Sequence, residues 1–168
     1  SYYAYANTLF DTSLNFEELV KDYFAHAYGE AGDKVIAFLQ KIDELMPHTY
    51  MEARHSKRRD KSQHYRPEME EKLLSVEPLT REFEQVLEAY KNMPYRVQTV
   101  SMRLLTEHTH FCRGYASCMA IKCLGKDDEA KAAAKEFLTE FGKHELAMER
   151  YYDHMMAKHA IMAIFSTK

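Results

Sequence analysis

The chain has 168 residues, 46% hydrophobic and 29% charged, with a formal net charge of −3. That length supports one sizeable core, and the near balance of charge leaves out the strongly basic face that nucleic acid requires. Five Gly and four Pro are too few for a turn-rich sandwich, and no apolar run approaches the roughly 20 residues of a membrane span.

The opening SYYAYANTLF lacks the charged-then-apolar order of a signal peptide. Residues 1–14 are expected to be a lead-in from an upstream domain, with Tyr2, Tyr3 and Tyr5 exposed. From Asn15 the pattern turns helical. Phe16, Leu19, Val20, Tyr23, Phe24, Ala27 and Tyr28 recur at steps of three and four, which builds one stripe on a helix. Asn15 with Glu18 three residues on makes a capping-box-like start, and Gly29 supplies the residue that ends such a helix. A second stripe, Val35, Phe38, Leu39, Ile42 and Met46, stops at Pro47. The short link predicts an antiparallel helical hairpin.

Within this hairpin, Asp22-Tyr23-Phe24, Tyr28-Gly29, Ala31, Val35 and Phe38-Leu39 carry a resemblance. So does the lead-in Tyr5-Ala6-Asn7-Thr8-Leu9-Phe10-Asp11. Over the first third of its length the chain resembles a bacterial domain-of-unknown-function family related to α-glucuronidases and β-N-acetylhexosaminidases. The resemblance implies the helical C-terminal region that follows a glycoside-hydrolase-like TIM barrel. It implies a carbohydrate-processing context and carries no catalytic residue onto this sequence.

Residues 48–67 read as a polar connection containing the basic run Arg54 to Lys61, and Pro67 opens the next helical segment. Leu73, Val76, Leu79, Phe83, Val86, Leu87 and Tyr90 continue an apolar face, with Pro78 expected to break or kink it and Met93-Pro94 to end it. Val97, Val100, Leu104, His108, Phe111, Tyr115 and Cys118 then form a seam that Gly125 stops. Asp127 or Asp128 starts a last helix with the seam Ala134, Phe137, Phe141, His144, Met148, Tyr151 and Met155. The expected fold is an all-α bundle of five or six amphipathic helices, a single domain over residues 1–168.

Nine histidines raise the question of a metal site. Glu52 with His55 and Glu107 with His110 have the Glu-x-x-His spacing of carboxylate-bridged di-metal bundles. The first pair lies in the polar connection and the second flanks its seam, so neither faces a core. His144 to His159 lacks His-Glu-x-x-His spacing, which excludes a zinc protease helix. His108 and His144 occupy seam positions and are expected to be hydrogen-bonded core histidines, donating to a carbonyl or carboxylate. Cys112, Cys118 and Cys123 share one helix at separations too long for a disulfide, consistent with a reducing compartment. Tyr23, Tyr28 and Tyr151 read as core residues, and the absence of Trp argues against an autonomous sugar-binding module.

No catalytic, cofactor-binding or metal-binding residue is assigned, and no cofactor is expected. The expected function is a non-catalytic accessory domain that braces an upstream TIM barrel and lines its carbohydrate cleft. Its expected partners are that barrel, carbohydrate and a second copy through the aromatic N-terminal segment, with no nucleic acid or membrane. The alternatives are a metal-binding bundle enzyme, using Glu107 and His110, and a helical interaction module.

Overall fold

A computed structural model of the protein describes residues 2–46, 67–148 and 150–166. The connection 48–66, with its basic run and the Glu52–His55 pair, lies outside the described residues. The chain is all-α, a helical bundle, with no strand among the described residues. Its helices are α1 (Tyr2–Phe10), α2 (Phe16–Tyr28), α3 (Gly32–Leu45), α4 (Glu70–Leu74), α5 (Val76–Ala89), α6 (Arg96–Cys123), α7 (Asp127–Phe141), α8 (Glu145–Met148) and α9 (His154–Phe165). Six of those described run ten residues or more, in line with the five or six expected. They fall into two compact units, Ser1–Lys41 with Glu82–Thr106 and Ile42–Arg81 with Glu107–Lys168.

In the first unit, the lead-in forms α1, a helix the sequence pattern does not place. Tyr3 lies against Tyr23 of α2 with ring centroids 5.4 Å apart, and its hydroxyl donates to the Asp22 carboxylate. The Asn15 side chain caps α2, accepting from the Glu17 and Glu18 amides at 2.8 and 3.4 Å. Gly29, at φ +54°, ends α2 as expected. Its missing Cβ would also lie 2.7 Å from the Met93 methyl and 3.1 Å from the Gln98 amide. A single 3-10 turn, Gly29–Ala31, leads into α3. Val35 and Phe38 are buried on the predicted face, and Phe38 stacks on Phe83 of α5 at 3.9 Å and 2°. The α2 stripe is shallower than predicted: Leu19 is buried, whereas Phe16 and Tyr23 are exposed.

In the second unit, the break in the α4–α5 face falls at Ser75, whose hydroxyl donates to the Glu71 carbonyl. Pro78, expected to break or kink this face, follows that break by three residues. It sits in the first turn of α5, where a missing N–H costs no intrahelical bond. Thr80 is fully buried; its hydroxyl donates to the Glu77 carbonyl at 2.8 Å and accepts from Arg113 Nε at 2.9 Å. Phe111 is the hub of an aromatic cluster with Phe137, Phe141 and Tyr152, at centroid distances of 5.7, 5.4 and 6.4 Å. The Lys122 ammonium, buried, donates to Asp127 at 2.8 Å and ties the end of α6 to the start of α7.

The seam predicted on α6 is displaced by one residue through its first half. Gln98, Met102, Leu105, Thr109, Cys112, Ala116, Met119 and Cys123 form the buried line, while Val97 and His108 are exposed. Two polar residues on that line hid it from an apolar count. Beyond Cys112 the helix is covered on most sides, so Tyr115 and Cys118 are buried as predicted.

The last predicted helix is three pieces. It breaks at a 3-10 turn, Gly142–His144, and restarts at α9, where Asp153 accepts from the Met156 amide at 2.8 Å as an N-cap. Ala134, Phe141 and Met148 are buried and Phe137 half-buried, whereas His144, Tyr151 and Met155 are exposed.

Candidate functional site

The residues with reactive side chains gather on the middle of α6 in the second unit. Glu107, His108 and His110 occupy one turn there, and the 3-10 turn after Gly142 brings in His144. His144 Nδ1 lies 3.0 Å from Glu107 Oε2, and His110 Nδ1 lies 4.0 Å from the same oxygen. The Glu107 side chain is 17% exposed, the two histidines 40% and 47%. Phe141 stacks on the His144 ring at 6.3 Å and 15°. The expectation of a carboxylate partner for His144 is met, but in a half-open position and not in a core.

His144 faces the Glu107 carboxylate through Nδ1, on a side chain that is otherwise largely exposed. The arrangement orients an imidazole. Among the described residues, no group of three or more His, Cys, Asp or Glu side chains is placed to hold a metal ion. The di-metal alternative weighed for Glu107 and His110 lacks its further ligands within that part of the chain.

His108 does not join this cluster. Its ring lies 3.6–3.8 Å from Cys112 Sγ, one turn along α6. Crowding by protein on its inner side lowers its pKa from the ordinary imidazole value, and burial pushes the Cys112 thiol up to about 12. Both groups are neutral at physiological pH, so the pair holds no thiolate nucleophile. Cys118 is likewise pushed up by burial to about 11. All three cysteines are buried and none forms a disulfide, as their spacing on one helix predicts.

One histidine escaped the sequence pattern. His154, the first residue of α9, is buried against Phe141 and Tyr152, each 6.5 Å away between ring centroids. It packs where a Gly142 Cβ would stand, 2.6 Å from its Nε2. The Asp153 cap before an apolar run was the signal for it. Of the tyrosines expected in the core, Tyr28 is half-buried, with its hydroxyl pKa raised by burial, whereas Tyr23 and Tyr151 are exposed.

A different kind of surface lies in the first unit. On α1, Tyr5 is 65%, Leu9 66% and Phe10 93% exposed, and Phe16 at the start of α2 is 66% exposed. The other side of α1 carries its two polar side chains. Asn7 and Thr8 spend their side-chain donors on the carbonyls of Tyr3 and Ala4, each at 2.9 Å, and the helix carries no formal charge.

The chain matches no protein-family model, no curated protein and no solved structure. No helix among the described residues is long and apolar enough to cross a membrane.

Proposed function

We propose that the chain is a non-catalytic helical accessory domain of a glycoside-hydrolase-like protein, bracing a TIM barrel. The resemblance of its first third to the family related to α-glucuronidases and β-N-acetylhexosaminidases motivates the context. One structural observation supports the docking role: the outer side of α1, with Tyr5, Leu9 and Phe10, is an apolar face with no charged residue on its helix. On this reading the barrel covers that face, and any acid–base carboxylates belong to the barrel.

The test is thermal unfolding of the full-length encoded protein beside the isolated chain, each with and without Leu9→Asp and Phe10→Asp. Burial of such side chains is worth roughly 1.5–3 kcal/mol each. The full-length protein is expected to lose stability on substitution while the isolated chain melts unchanged. Equal behaviour of the two proteins refutes the docking role. So does a full-length protein without a barrel-sized segment.

A further inference from the structure

The outward face of α1 belongs to a weakly anchored helix. At nine residues, α1 is shorter than the roughly 12–15 at which an isolated helix becomes even marginally stable in water. From Tyr3 to Phe10 none of its residues is buried, so it lacks the packed stripe that ordinarily sustains a short helix. Asn7 and Thr8 bond carbonyls of α1 itself. Asp11, just beyond its end, accepts from the Ser13 amide and hydroxyl at 2.9 and 2.6 Å, a turn closed within the link to α2. The contact that ties α1 to α2 is made by Tyr3, at the end of α1 far from that link. Its ring lies against Tyr23, and its hydroxyl donates to Asp22 Oδ2. The other carboxylate oxygen, Oδ1, faces His26 Nδ1 of the same helix at 3.4 Å, so Asp22 is steadied by α2 while it accepts from α1. The hydrogen bond also holds the Tyr3 phenol above its ordinary pKa, which keeps it a donor.

We infer that α1 is a latched strap: it is folded onto α2 while Tyr3 engages Asp22 and Tyr23, and it unfolds locally, with the rest of the chain intact, when that latch opens. A unit with few buried side chains opens at far less free energy than the whole fold. The latch therefore sets how often Tyr5, Leu9 and Phe10 are presented on an ordered helix. The strap is a property of the chain alone, whether or not a barrel covers that face.

Amide hydrogen exchange of the 168-residue chain over residues 6–11 reads the opening, with residues 35–39 of α3, which include the buried Val35 and Phe38, as the internal reference. In the wild type, residues 6–11 are expected to exchange more slowly than an unstructured peptide and at least about a hundredfold faster than the reference. Tyr3→Phe, which keeps the ring, and Asp22→Ala, which removes the acceptor, are each expected to speed residues 6–11 about threefold. Tyr3→Ala, which removes ring and hydroxyl together, is expected to speed them about tenfold, and the reference should not change in any variant. Exchange of residues 6–11 in step with α3 would show that α1 opens only with the whole fold, which overturns the strap. Exchange at the unstructured rate in the wild type overturns it as well, because the latch then never closes. If Tyr3→Ala changes nothing, Tyr3 is not the latch and the inference falls. Acceleration by Tyr3→Ala but by neither Tyr3→Phe nor Asp22→Ala overturns the part given to the hydroxyl and the carboxylate.

Discussion

Gly114→Ala tests how firmly the aromatic cluster of the second unit is built. Gly114 lies inside α6, and an exposed helical glycine replaced by alanine gains about 1 kcal/mol from helix propensity. Here the new Cβ would stand 2.2–2.8 Å from three atoms of the Phe137 ring. That ring cannot swing freely, because Phe111 and Phe141 lie 5.7 and 5.8 Å from it. Forcing extra volume into such packing costs about 1–3 kcal/mol. With the ring held on two sides the upper part of that range applies, so the net loss is about 1–2 kcal/mol. At about 2–4 °C per kcal/mol for a chain of this size, the melting temperature falls by roughly 2–8 °C. Far-UV circular dichroism on heating reads this directly. The same substitution in a Phe137→Ala background should be stabilising, because the propensity gain then stands alone. A rise in melting temperature for Gly114→Ala in the wild-type background would refute the claim that Phe137 is locked.

Thr80→Val keeps the shape of a fully buried residue but removes the hydroxyl that accepts from Arg113 Nε. A loss of about 1–3 kcal/mol is expected by chemical denaturation, and an unchanged midpoint would mean the contact contributes nothing. Gly29→Ala puts a side chain at φ +54° and against Met93 and Gln98; a cost of at least about 1 kcal/mol is expected from the backbone alone. His108 titrates in the opposite sense to an ion-paired histidine. Its folded pKa lies below its unfolded value, so the unfolded chain binds the extra proton between the two. His108 therefore contributes stability that is complete above about pH 6.5 and is lost as the pH falls through its folded pKa. Denaturation midpoints at stepwise lower pH should drop less in His108→Gln than in the wild type, and identical pH profiles would refute its part in acid sensitivity.

Local signals were legible wherever a residue and its partner lie within one turn. Asn15 caps α2 through amides two and three residues on, Gly29 and Gly125 turn with positive φ, and Val35, Phe38 and Ile42 line one face of α3. Errors arose where a polar residue is buried by a partner far along the chain. Gln98 reaches the His26 carbonyl across 72 positions, and Thr80 meets Arg113 across 33. Neither partner is visible in a periodicity of apolar residues, so that periodicity places the α6 seam one residue early. The site failed for the same reason. Glu107 and His144 both stood out, one as a flanking residue and one as a seam position, but their meeting depends on the turn at Gly142 and on His154 filling the space beside it.

The case of α1 is different, because nothing distant is needed to hold it as a helix. Its polar side chains bond carbonyls of their own helix, and it lacks charges to mark a solvent side. An amphipathic pattern identifies a helix by contrast between two faces, and α1 has little contrast to offer. The property that hid it from a periodicity argument is visible in its exposed face: Tyr5, Leu9 and Phe10 stand outward, while the polar Asn7 and Thr8 lie on the less exposed side.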